Sequence, residues 1–301
     1  MIITITGDLA GGKSSVAKRI ASSIGAAYES AGSIQRQIAA MRGMTTLELN
    51  KYAETHPEID KEVDNRVKAF GSSTSAIVVD SRMAWHFIPQ SLKIYIAVSS
   101  HRAAERVMRD QLRTGEPVYS DLEDAARKLL ERKASEELRY KALYGADSSV
   151  IENFDLYIDT TWATPDDVFE LLSERIAAEE GNRQTCEVWL SPKLILPMGD
   201  AKCLVSGATP GDSNNTPVPV VRCGDYFYAW DQHELLGAAI QNKTPFIGAA
   251  ILQGDDLPTP GLSAQQYVDS TFRLTTVHDW EKALGVAYIK PDGVGSGDRP
   301  T

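Results

Sequence analysis

The sequence predicts an α/β protein: a parallel sheet flanked by helices, followed by a smaller α/β or α+β domain. Three observations lead there. Short β-branched runs alternate with helical stretches over the first 180 or so residues. A glycine-rich loop joins the first of these runs to the first helical stretch. Beyond residue 182 the character changes, and short β-rich runs follow one another more closely. Strands that alternate with helices read as a parallel sheet covered on both faces.

Residues 2–6 (Ile-Ile-Thr-Ile-Thr) are a β-rich run, and a helical pattern follows at about 13–24. Residues 76–80 and 93–98 read as strands, with turn or helical material between them. Residues 101–113 and 121–143 are rich in Ala, Leu, Glu, Arg and Lys and carry no internal proline, which predicts helices. Residues 154–159 read as a further strand, and Pro165 opens a helix running to about 179. A boundary near 182 gives domains 1–182 and 183–301. In the second, 206–217 is loop-forming, 218–222, 225–230 and 245–252 read as strands, and 231–242 as a small-residue helix. Residues 291–301 read as a disordered tail.

Composition narrows the class. Of 301 residues, 43% are hydrophobic and 24% charged, which suits a globular chain. No apolar run reaches the length needed to cross a bilayer, so no membrane partner is expected. The N-terminus lacks the pattern of a secretion signal. Cys186, Cys203 and Cys223 are too few and too far apart for a disulfide framework or a zinc site, and read as free thiols. These points place the chain in the cytoplasm. The net charge of −10 does not favour DNA as a partner, because nonspecific affinity comes from neutralising phosphates. The cluster of basic residues between Arg102 and Lys141 leaves a local basic cleft open.

Gly7-Asp-Leu-Ala-Gly-Gly-Lys-Ser14 fits the pattern GxxxxGK[ST], between a strand ending at Thr6 and a helix opening at Lys13. Gly7, Gly11 and Gly12 let the backbone wrap around phosphates. The helix start, with Ser14 and Ser15, aims unpaired N–H groups at them. ATP is the expected ligand. Lys13 would reach its terminal phosphates, and the Ser14 hydroxyl would hold Mg²⁺. Asp80 ends the buried run Ala-Ile-Val-Val-Asp; it is either a second Mg²⁺ partner or an ordinary turn residue.

These residues, with blocks that follow in order, resemble the cytidylate kinases, in particular the shorter archaeal type, over residues 1 to about 175. The blocks are Glu29 through Arg36, Arg42-Gly-Met, Tyr52 through Asp64, Asp80-Ser-Arg82, Arg132 through Tyr144, and Asp155 through Thr160. The resemblance implies a sheet of the P-loop nucleoside monophosphate kinase type. It implies that Ser33, Arg36 and Arg82 bind the acceptor nucleotide, the arginines clamping its phosphate. It makes Arg132, Glu136 and Arg139 lid residues, with Glu136 on the acceptor, and it casts Lys13, Asp80, Arg132 and Arg139 in catalytic roles. Arg106 and Arg127 are further sources of positive charge. By spacing alone, Arg132, Glu136 and Arg139 share one helical face, which a salt-bridged surface helix would also give. Trp85 is either core or a platform for a base.

Residues 217–252 weakly resemble the ParB-like fold, through Pro219-Val-Val, Gly224-Asp-Tyr-Phe-Tyr and Asp231-Gln-His233-Glu234. The second domain is accordingly read as an accessory module. His233 and Glu234 are either a helix start or a site, and Asp255-Asp256 reads as a polar loop. The functional reading is an ATP-dependent phosphotransferase acting on a pyrimidine nucleoside monophosphate, CMP or dCMP. Two rivals stand beside it: a kinase of a hydroxymethylated pyrimidine in nucleotide or DNA, and a nucleotide sensor without turnover. The sequence leaves the oligomeric state open.

Overall fold

In the computed structural model, the described residues are 1–53, 55–109, 119–178, 186–205 and 216–288. The first strand, β1 (Ile2–Gly7), buries its four central residues, as an apolar run in a sheet covered on both faces must. The rest of the first unit follows in order: α1 (Lys13–Ser23), β2 (Ala27–Ser30), α2 (Ala31–Met41), α3 (Thr46–Ala53), α4 (Glu58–Ala69), β3 (Ile77–Asp80), α5 (Ala84–Phe87), β4 (Leu92–Ala97), α6 (Ser100–Arg109), α7 (Leu122–Tyr144), β5 (Leu156–Asp159) and α8 (Pro165–Ala177). The chain divides into two units, Met1–Cys186 and Glu187–Thr301.

In the first unit the strands lie in the order β2-β3-β1-β4-β5, all parallel. The parallel sheet with flanking helices is the architecture the sequence predicts. The chain leaves β1 toward β2 and β3 on one side and then crosses to β4 on the other. A crevice at the carboxyl ends of the strands is where such a sheet binds ligands. Register aligns those ends: Ile5 pairs with Asp80, and Asp80 with Ser30. The loop after β1, the acid ending β3 and the start of α2 therefore meet at one edge of the sheet.

β2 escapes a sequence reading because Ala-Tyr-Glu-Ser is short and only half-buried, with no β-branched residue. The material between β2 and β3 resolves into α2, α3 and α4, whose apolar faces pack as one cluster around Ile34, Ile38, Leu49, Val63 and Val67. Helix α7 is 23 residues long; Asp121 caps its start by accepting the Asp124 N–H, and Gly145, left-handed at φ 66°, ends it.

The second unit carries β6 (Glu187–Leu190), β7 (Ile195–Pro197), β8 (Val218–Cys223), β9 (Tyr226–Ala229), α9 (His233–Gln241), β10 (Ile247–Leu252), α10 (Ala264–Thr271) and α11 (Leu274–Leu284). Its strands run β6-β10-β8-β9-β7, with β10–β8 and β7–β9 parallel and β10–β6 and β8–β9 antiparallel. Of the predicted loop 206–217, residues 206–215 lie outside the described residues, as does the predicted tail 291–301. Among the described residues, Cys186, Cys203 and Cys223 form no disulfide. Asp255 and Asp256 sit in an exposed single turn. Among the described residues, no helix is long and apolar enough to cross a membrane.

His233 serves this second core. Its Nε2 accepts the Gly199 N–H at 2.8 Å, and Gly199 O accepts the Trp280 indole N–H at 2.9 Å. Burial lowers the His233 pKa, against the opposing pull of the Ala229 carbonyl, Asp231 and Glu234. A histidine lowered in the folded state stabilises above its unfolded pKa of about 6.5, and that stability is lost as pH falls toward the folded pKa. The unfolding midpoint is therefore expected to drop between pH 7 and 5.5, and less so in His233→Gln, as denaturant titration at each pH would show.

Candidate active site

The loop after β1 closes on itself through Gly7. The Asp8 N–H donates to Ile96 O at 2.9 Å, and the Gly11 N–H to Asp8 O at 3.2 Å. Gly7 sits at φ +139°, and a Cβ there would lie 2.0 Å from Ile96 O, a backbone atom that cannot give way. Gly7→Ala is expected to destabilise the protein by about 3 kcal/mol or more, read as a lower denaturation midpoint. Gly12, at φ +88°, caps α1 with no side-chain partner for the helix's first N–H groups. An uncapped helix start beneath a glycine loop is an anion cradle.

Lys13 opens α1, and its Nζ donates to Gly7 O at 2.9 Å and also to Asp8 O. Burial pushes its pKa down to about 8; Arg82 and Arg132 act in the same direction, and Asp80 and Asp8 oppose them. A buried ammonium that donates to two carbonyls gains from any anion that enters. Ser14 Oγ donates to Asp80 Oδ2 at 2.5 Å, and Tyr28 OH donates to the same oxygen at 3.2 Å. A hydroxyl and a buried carboxylate side by side form a hard-oxygen pair of the kind that suits Mg²⁺.

A cavity of about 610 Å³ opens beside this pair, and its lining includes Lys13, Ser14, Arg36, Arg82, Arg132 and Arg139. The β3–α5 loop is pinned through the Arg82 carbonyl, which accepts the Thr6 hydroxyl at 3.2 Å and the Trp85 indole N–H at 3.0 Å. Arg82 then pairs with Glu136 of α7, which also takes Arg132 Nε at 3.1 Å. Two further links join α7 to its surroundings. Lys133 Nζ meets Asp8 Oδ1 of the glycine loop at 3.0 Å, and Tyr144 donates to Asp64 of α4. Burial raises the Asp64 pKa, and the bond from Tyr144 opposes the rise. Asp60, Asp64, Tyr140 and Tyr144 also line the cavity.

The profile of the cytidylate kinase-like family matches residues 2–162. The chain belongs to that family. It is therefore a P-loop kinase, a phosphotransferase. Its curated relatives include cytidylate kinases from Pyrococcus furiosus, 37% identical over 58% of this chain and 88% of that one, and Methanocaldococcus jannaschii, 33% identical over 58% and 97%. A shikimate kinase from Acinetobacter baumannii, 14% identical, covers 60% of this chain and 95% of its own at a TM-score of 0.42. The family match ends at Trp162, and the ParB-like expectation for the second domain finds no support in these comparisons.

In this family member the cleft gathers Lys13, Ser14, Arg36, Asp80, Arg82, Arg132, Glu136 and Arg139. Gly7, Gly11 and Gly12 form the loop beneath. Ser15 and Ser33 do not line the cavity. Ser15 is exposed on α1. Ser33, read from the sequence as an acceptor ligand, takes part in the cap of α2: its hydroxyl accepts the Ser30 N–H at 3.1 Å, and the Ser33 N–H donates to Ser30 Oγ at 3.0 Å. Trp85 is core, buried against Phe154, and not a platform for a base. Arg127 turns to Asp124 and Glu131 on the exposed side of α7. Arg106 is turned onto backbone carbonyls instead of into the cleft. The sequence reading missed Tyr28, which touches Asp80 only because β2 and β3 pair in that register. It also assigned no role to Asp60 and Asp64, although their i, i+4 spacing marks one helical face.

Glu136 neutralises the arginines that an incoming phosphate would need. Glu136→Gln is expected to bind inorganic phosphate about fivefold more tightly, a gain of about 1 kcal/mol for partly exposed pairs. Titration calorimetry on both proteins checks this.

Proposed function

We propose that this kinase transfers the γ-phosphate of ATP to the 5′-phosphate of a pyrimidine nucleoside monophosphate, CMP or dCMP. The observation that carries the reading is the gathering of phosphate-binding groups on one cavity. Lys13, at the end of the glycine loop, lines it together with Arg36, Arg82, Arg132 and Arg139. The names of the relatives support a cytidine nucleotide as acceptor.

In this reading the glycine loop and Lys13 hold the donor's phosphates. Arg36 and Arg82 orient the acceptor phosphate, where a guanidinium fork matches paired oxygens. An oxygen of that phosphate attacks the γ-phosphorus, the bond from γ-phosphorus to the bridging oxygen breaks, and ADP departs with the electron pair. Such transfer needs little covalent help from the protein; it needs alignment and neutralised charge. Arg132 and Arg139, on α7, supply positive charge to the moving group. Ser14 and Asp80 would hold Mg²⁺, which would supply positive charge against the donor's phosphates. The links from α7 to the loop and to α4 would exclude water from the site.

The test is a panel of acceptors with ATP: common nucleoside and deoxynucleoside monophosphates, hydroxymethylated pyrimidine nucleotides, and DNA containing the modified base. The highest kcat/KM is expected for CMP or dCMP. Transfer confined to a modified base in nucleotide or DNA would overturn the acceptor assignment. Tight ATP binding with no transfer to any acceptor would overturn the assignment of catalysis.

A further inference from the structure

Two residues outside the cleft lining converge on the back of the phosphate loop. Ala10 lies in the loop at φ +59°, a left-handed conformation unfavourable for a residue with a Cβ. Something must hold it there. Its carbonyl accepts a bond from Arg106 Nη1 at 3.0 Å. The next carbonyl, of Gly11, accepts one from Thr160 Oγ1 at 3.2 Å, a proton shared with Ala97 O at 3.0 Å.

The two braces are themselves joined. Arg106 Nη2 donates to Thr160 O at 2.7 Å, and Nη1 lies 3.3 Å from Thr160 Oγ1. Thr160 is 2% exposed. One guanidinium thus spans three acceptors, and one hydroxyl ties the tip of β4 to the loop. Burial, and secondarily Arg102, lowers the Arg106 pKa, while Asp159 and Glu105 oppose that. Its guanidinium is engaged by the loop and by Thr160.

Peptide planarity gives these contacts a consequence. In a trans peptide the C=O and the following N–H point in opposite directions. Fixing the Gly11 carbonyl against Thr160 therefore fixes the Gly12 N–H in the reverse direction. Fixing the Ala10 carbonyl does the same for the Gly11 N–H, which closes the loop onto Asp8 O. We propose that Arg106 and Thr160 are positioning residues that lock the Ala10 and Gly11 peptides, and so hold the loop closed and preset the Gly12 N–H for the donor's phosphates. The inference rests on the proposed donor role of the glycine loop.

Titration calorimetry with ATP, adenosine and CMP tests this on the full chain and on Thr160→Val, Thr160→Ser and Arg106→Lys. Valine keeps the shape and loses the hydroxyl, serine keeps the hydroxyl, and lysine replaces a three-way fork by a point charge. ATP affinity is expected to fall about tenfold or more in Thr160→Val and Arg106→Lys. Thr160→Ser is expected to stay near the unsubstituted protein, and adenosine and CMP affinities to be unchanged throughout. The double variant should lose less than the sum of the two single losses, because the braces share contacts.

Unchanged ATP affinity in either folded variant would overturn the inference. So would equal losses for ATP and CMP, which mark general damage, or a Thr160→Ser loss as large as that of valine. Should Thr160→Val fail to fold by circular dichroism, Arg106→Lys decides alone. Failure of the unsubstituted protein to bind ATP would overturn the donor reading itself, a result distinct from all of these.

Discussion

Lys13→Met is expected to lower kcat/KM for phosphoryl transfer by about a thousandfold or more while leaving the protein folded. That corresponds to about 4 kcal/mol of transition-state stabilisation. The size follows from where the ammonium sits. It lies at the mouth of α1, close to Asp80 and the arginines, in a setting where burial already holds its pKa down to about 8. A charge so poorly solvated is worth most when an anion meets it. Its present bonds, to the carbonyls of Gly7 and Asp8, are neutral acceptors that a phosphate would displace. Methionine keeps the length and the apolar stem, so the unfolding midpoint should move little and a loss of turnover cannot be assigned to misfolding. Steady-state kinetics alongside denaturant titration separates the two. Retained turnover in the variant would remove every kinase reading of this loop.

The second large effect is expected at Asp80. Asp80→Asn keeps the shape and one oxygen but removes the charge from the end of β3. In the intact protein both Ser14 and Tyr28 direct their hydroxyls at Asp80 Oδ2, which holds the carboxylate in a single orientation. A metal so placed would lose a charged partner in the variant, and loss of such a group weakens metal affinity about ten- to hundredfold. The expected result is a kcat/KM about a hundredfold lower at millimolar Mg²⁺, recovering in part as Mg²⁺ is raised. A loss that no concentration of Mg²⁺ relieves would place Asp80 in a structural role. A variant with full activity would remove it from the site.

The legible parts of this site were contiguous in the chain. Gly7 through Ser14 is eight successive residues between a strand and a helix, and each of its members can be read without knowing what lies across from it. Arg132, Glu136 and Arg139 were legible as one face because helical geometry alone sets it. What stayed hidden depended on register between distant segments. Tyr28 reaches Asp80 through the β2–β3 pairing, and Trp85 serves Arg82 by bonding its carbonyl rather than by facing a base. Thr160 meets Gly11 across 149 residues of chain.

Ser33 was legible as part of a block, but its place in the local cap was not. Side chains at a helix start readily bond the backbone there. In the second unit the strands were partly legible, but the mixed order β6-β10-β8-β9-β7 was not. Short strands of similar composition carry no signal for which neighbour each will choose.

The most direct measurement is CMP-dependent formation of ADP from ATP by the full chain, with the phosphorylated product identified by mass and Lys13→Met as the blank. The account predicts CDP and ADP in equal amounts from the unsubstituted protein and almost none from the variant. ADP released without CDP, or equal CDP formation by both proteins, would contradict it.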